Sequence, residues 1–186
     1  MPTAVPQAAP RRANWSFMLG HPLHAVALGL GSGLAPRAPG TAGTLAGWAS
    51  FVALQPLLAT PWHGAALVAA GLAAGCWASA VTARDLGVAD PGCIVVDEVV
   101  AFWLVLWLLL PAGWVAQLAA FALFRFFDAA KPGPVAWADA LFKPRRDGAD
   151  GAPRIGWAQG LGIMLDDLVA ALCTLLVIAL WRFVWP

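Results

Sequence analysis

Residues 94–110 read Ile-Val-Val-Asp-Glu-Val-Val-Ala-Phe-Trp-Leu-Val-Leu-Trp-Leu-Leu-Leu, an unbroken apolar run except for the adjacent acids Asp97 and Glu98. Such a run predicts a helix that faces lipid, because no polar face is left to meet water. The rest of the chain is built alike. Hydrophobic residues make up 61% of its 186 residues and charged residues 11%, with mean hydropathy +0.75. Typical soluble domains run near 45–50% and 25%. This composition predicts an all-α integral membrane protein. It excludes a largely disordered chain, and three Cys exclude a secreted disulfide scaffold. A formal charge of +1 leaves no electrostatic footprint for nucleic acid.

Five apolar segments, near 44–59, 64–81, 94–110, 113–127 and 161–184, predict a small bundle of about five transmembrane helices. The short breaks at 60–63 and 111–113 predict that the first two segments, and the third and fourth, form antiparallel hairpins. Residues 1–20 carry Arg11 and Arg12 but no apolar run of signal-peptide type, and are expected to be a flexible cytoplasmic tail. Residues 21–186 are then a single membrane domain. Arg37, Arg84, Lys131, Lys143, Arg145, Arg146 and Arg154 fall in loops on one side, whereas the two short turns carry no Lys or Arg. The positive-inside rule makes the first side cytoplasmic and puts the C-terminus outside. The polar loop 138–160 is read as a solvated surface near anionic headgroups. The Gly/Pro-rich stretch 29–43 is expected to be too broken for a regular helix.

The chemistry concentrates where acids touch the ends of spans: Asp97-Glu98, Asp128, and Asp166-Asp167. A lone acid there would be read as a helix cap. Adjacent pairs are different, because a cap needs only one carboxylate. Five acids from three spans at one depth predict a shared cation, and hard oxygen ligands suit Mg²⁺. Lys131, three residues after Asp128, is read either as a surface ion-pair partner or as a phosphate contact beside Arg125. The segment from Gly31 to Thr44 offers backbone N–H groups to an anion, with a helix N-terminus expected at Thr44. It lacks the Gly-Lys-Ser/Thr element of a Walker A loop. No Cys-x₅-Arg or Asp-x-Asp phosphatase signature occurs, and His21, His24 and His63 lack metal spacing.

Four stretches, Ser32–Gly47, Asp90–Trp103, Phe124–Val135 and Gly160–Leu172, in this order resemble the phosphatidylglycerophosphatase A family. The resemblance covers about residues 24–175. It implies a Mg²⁺-dependent phosphomonoesterase of the bacterial inner membrane, with phosphatidylglycerophosphate in the bilayer as its substrate partner. By position it implies that Asp97, Glu98, Asp128, Asp166 and Asp167 are the catalytic and metal-binding acids, with Lys131 as their basic partner. Ser32, Arg37, Thr41 and Thr44, with Arg125 and Lys131, are then expected to bind the phosphate. The chain departs from the family pattern at Val96, where Trp is common, at Ala101, where Gly is usual, and at Ala158-Gln159, in place of His-Gly. A cation-assisted attack by water and attack by a carboxylate, Asp97 or Asp166, are both compatible with these residues. Two other classes fit the acids less well. An ion-coupled transporter places them near the midplane between repeats, and no repeat is evident. A scaffold in which they only cap helices leaves the pairs unexplained. The number of metal ions and the oligomeric state are not encoded in any motif.

Overall fold

The computed structural model describes residues 12–58, 60–141 and 156–185. The regular elements among them are helical, and they include no strand. In chain order they are α1 (Trp15–Leu19), α2 (Pro22–Ala27), α3 (Pro39–Leu54), α4 (Pro61–Leu86), α5 (Val96–Leu109), α6 (Trp114–Ala130), α7 (Pro134–Leu141) and α8 (Trp157–Val184). A 3₁₀ stretch, Gly29–Leu34, joins α2 to α3.

The apolar run at 94–110 becomes α5, the helix on which the bundle is assembled. Val96, Val99, Val100, Ala101, Phe102, Val105, Leu106 and Leu109 are all buried, and α3, α4, α6 and α8 all pack against it. Burial covers most of the helix but not all of it, since Leu108 is 51% exposed. Phe102 lies between Phe121 and Phe124 of α6 and Trp48 of α3, with ring centroids 5.6 to 6.2 Å apart.

The approach of α3 to α5 depends on glycine. A Cβ on Gly47 would lie 3.0 Å from the Val99 Cα, and one on Gly43 would press on the Val95 side chain. Spaced small residues of this kind let two helix backbones approach closely. Trp103 then donates its Nε1–H to the Gly47 carbonyl and the Ser50 hydroxyl, both at 3.0 Å. Two expectations change as a result. The helix starts at Pro39, not Thr44, because proline at N1 presets the backbone and Gly40 and Gly43 are contact positions rather than breaks. And α3 lies along α5 rather than forming a packed hairpin with α4.

The other ends also differ from expectation. Within the supposed tail, Trp15–Leu19 form α1, capped by Asn14 and burying Met18. His24 of α2 joins Asp85 near the end of α4 at 3.0 Å, and the Ala27 carbonyl accepts from the Val95 N–H at 2.9 Å, fixing the chain just before α5. The start of the loop expected at 138–160 is helical in α7, and its end belongs to α8. There Gly160 abuts the Cys76 carbonyl of α4, as Gly75 meets Met164. Arg11 lies outside the described residues, as do Lys143, Arg145, Arg146, Asp147, Asp150 and Arg154.

Among the described residues two helices, α4 with 26 residues and α8 with 28, are long and apolar enough to cross a membrane. The others named as spans are shorter: 16, 14 and 17 residues for α3, α5 and α6. Leu172, Leu176, Leu180 and Phe183 of α8 all face outward, exposed.

Candidate active site

Asp97 and Glu98 occupy the first turn of α5, where the helix dipole favours negative charge. No side chain caps that end; Val95 is the N-cap. Asp166 and Asp167 lie more than two turns inside α8, so capping cannot account for them. Because α5 and α8 pack side by side, the two pairs meet. One carboxylate oxygen from each of Asp97, Glu98 and Asp167 lies within 4.8 Å of the other two. Asp97 Oδ1, Glu98 Oε2 and Asp167 Oδ2 are all buried without a hydrogen-bond partner, and Asp167 is only 3% exposed. Burying an unpaired carboxylate costs several kcal/mol, and three at this spacing also repel one another. The arrangement calls for compensation among the oxygens, by a bound cation or by a proton. Three hard oxygen donors and no sulfur or imidazole fit a Mg²⁺-type cation.

The remaining groups flank this triad. Asp128, in the last turn of α6, pairs with Arg125 one turn earlier. Arg125 also donates to the Thr44 hydroxyl at 3.2 Å, and that hydroxyl donates back to the Gly40 carbonyl at 2.9 Å. A Cβ on Gly40 would run into Glu98 Oε1 and crowd the Arg125 guanidinium. Glycine here is what lets the start of α3 reach the acids. Lys131 ends α6 in a left-handed conformation, φ 45°, which turns its side chain away from the helix. Its ammonium meets Asp139 of α7 at 2.6 Å and Asp166 of α8 at 2.5 Å. Partial burial works against the charge on Lys131, but these two carboxylates outweigh it, and its pKa stands above the ordinary lysine value. A cavity of about 110 Å³ opens over the cluster, lined by Asp97, Asp128, Lys131, Asp166 and Asp167 together with Asp90, Asp139 and Gln159.

The residues singled out from sequence therefore separate. Asp97, Glu98, Asp128, Asp166, Asp167, Arg125, Lys131 and Thr44 are brought together. Lys131 pairs with Asp139 and Asp166 rather than with Asp128. Ser32 spends its hydroxyl on the Gly29 carbonyl. Arg37 is exposed, and neither it nor Thr41 makes a hydrogen bond or ion pair to the acids among the described residues. Asp90, Asp139 and Gln159 also line the cavity, though none is singled out from sequence as a site residue; Asp90 opens one of the four family-like stretches. Asp139 lies in a stretch whose polarity suggests solvated loop. Gln159 is visible only as a departure from the family pattern, at a position that proves to line the cavity.

The model of the phosphatidylglycerophosphatase A family matches residues 25–182, which contain every residue of this cluster. The chain belongs to the phosphatidylglycerophosphatase A family. A family member from Haemophilus influenzae is 39% identical over 158 residues, 85% of this chain and 87% of that protein. The Escherichia coli phosphatidylglycerophosphatase A is 36% identical over 175 residues, 94% of this chain and 91% of its own length. A Bacteroides thetaiotaomicron relative, provisionally named a phosphatidylinositol-3-phosphatase, is 36% identical over 166 residues, 86% of this chain and 92% of that protein. No solved structure matches the chain.

Proposed function

We propose that this member of the family is a Mg²⁺-dependent lipid phosphatase that hydrolyses phosphatidylglycerophosphate to phosphatidylglycerol and phosphate at the cytoplasmic face of the bacterial inner membrane. The observation that carries the reading is the trio of buried, unpartnered carboxylate oxygens from α5 and α8. Asp97, Glu98 and Asp167 would hold the cation, which when bound supplies Lewis-acid stabilisation of charge on the phosphoryl oxygens. In this reading α3, α4, α5, α6 and α8 are the spans, and the shorter three are met by local thinning of the bilayer. Arg37, Arg84 and Lys131 at the site end, with no Lys or Arg in the two opposite turns, support a cytoplasmic site.

The chain's own groups divide the remaining work. Arg125, oriented by Asp128 and Thr44, has further N–H donors to offer the phosphate. The first N–H groups of α3 have no side-chain cap and add partial positive charge near Gly40. Lys131 has one N–H left after Asp139 and Asp166 are served. One carboxylate outside the triad, Asp128 or Asp166, would take a proton from attacking water.

The lipid is distinguished from soluble esters by its anchor. Burial of acyl methylenes is worth about 0.8 kcal/mol each, so the membrane concentrates the substrate beside the cavity. Glycerol 3-phosphate has the same ester without that anchor. In detergent micelles it should show a much lower kcat/KM than phosphatidylglycerophosphate, mainly through a raised KM. Equal values for the two would make the site a soluble-ester phosphatase and end the lipid assignment.

A further inference from the structure

We infer that the Lys131 ammonium fills the second cation position of this site, held there by Asp166 and by Asp139 as a positioning residue, so that the chain takes a single divalent ion. The inference rests on the metal-binding reading above and specifies it further. Phosphoryl-transfer sites with two metals set the ions about 3.5–4 Å apart in a shared carboxylate cluster. Here two groups of carboxylates in different states meet at one cavity, lined by Asp97 and Asp167 of the first and by Asp139 and Asp166 of the second. The inner group, Asp97, Glu98 and Asp167, presents three buried oxygens with no partner. The outer group, Asp139 and Asp166, converges on one ammonium at 2.6 and 2.5 Å. Asp166 and Asp167 are consecutive on α8, so neighbouring residues serve neighbouring cation positions.

A lysine suits that role. Its ammonium is a compact point charge with three donors. Two are spent on the carboxylates, leaving one for an anion entering the cavity. The backbone is arranged to deliver it: α6 stops at Ala130, Lys131 takes the left-handed conformation, and the chain turns through Gly133, φ 49°, into α7, which brings Asp139 back. Left-handed backbone at a residue other than glycine costs on the order of 1 kcal/mol and persists where its surroundings hold it.

Counting bound Mn²⁺ on the purified full chain in detergent tests this, by electron paramagnetic resonance of the free ion and elemental analysis of the protein. The wild type should hold one ion per chain. Lys131→Ala should hold two, Lys131→Arg one, and Lys131→Ala combined with Asp139→Ala one again, because the outer position then lacks both its cation and a ligand. Two ions on the wild type, or one on Lys131→Ala, would overturn the inference and leave the metal-binding reading standing. No ion on the wild type would overturn both. For Asp139 alone, Asp139→Asn should keep one ion and raise KM about tenfold with kcat little changed, through loss of a charge-assisted hydrogen bond, and Asp139→Glu should restore it. An equal loss in kcat that Glu does not rescue would reduce Asp139 to a structural residue.

Discussion

At Asp167 the cost of burial is concentrated in one atom. Its Oδ2 is buried without a hydrogen-bond partner, and Asp97 Oδ1 and Glu98 Oε2 share that condition nearby. If these oxygens serve a cation rather than the fold, removing one charge should have opposite effects on activity and on stability. Asp97→Asn or Asp167→Asn should cost at least the roughly 100-fold that losing an outer partner of a metal costs. The same variants should melt no lower than the wild type in chelator, because one repulsive, desolvated charge is gone. Thermal melts with and without chelator, run beside activity, check both halves. A large drop in melting temperature in chelator would make these carboxylates structural. At this scale the sequence is informative where charge interrupts hydrophobicity. Asp97-Glu98 and Asp166-Asp167 stand in apolar runs, where a second adjacent carboxylate is costly and serves no cap. Asp139 stands in a polar stretch, and its role depends on a left-handed turn at Lys131 that no local pattern announces.

Among elements, α3 and α8 show why boundaries are hard to place from sequence while the helices themselves are legible. Glycine and proline near 39–43 and at Gly160 have the local character of breaks. Both helices run through these glycines because their missing side chains are where another helix passes: Glu98 and Arg125 at Gly40, Val95 at Gly43, Val99 at Gly47, the Cys76 carbonyl at Gly160. In a close-packed membrane bundle a glycine marks a contact as often as a stop. Which of the two holds depends on the partner helix, and that is tertiary information. Gly47 gives the sharpest test, since the atom facing its absent Cβ is Val99 Cα, part of the backbone and unable to rotate away. Gly47→Leu should destabilise the protein by about 1–3 kcal/mol, as overpacking does, and reduce activity by shifting the start of α5 with its two acids. Gly113→Ala, with nothing within 4 Å of the new Cβ, should change stability by less than about 0.5 kcal/mol. Equal melting temperatures for the two variants would mean that α3 and α5 are not in close contact.

For the molecule as a whole, the acids among the described residues are gathered at one end of an apolar bundle. The start of α3, the start of α5, the end of α6 and the first turns of α8 contribute the groups around the triad, with Asp139 added from α7, while the outer face of α8 is Leu and Phe. That distribution suits a catalyst that meets a lipid phosphate at headgroup depth. On the proposed reading the carboxylate triad holds a divalent cation needed for hydrolysis of the lipid phosphate. Phosphate release from phosphatidylglycerophosphate in mixed micelles by the purified chain, measured before chelation, after it, and after Mg²⁺ is returned, tests that claim most directly. Release should stop on chelation, return with Mg²⁺ and be nearly absent throughout in Asp167→Asn. Release that continues undiminished in excess chelator, or that survives in Asp167→Asn, would contradict it.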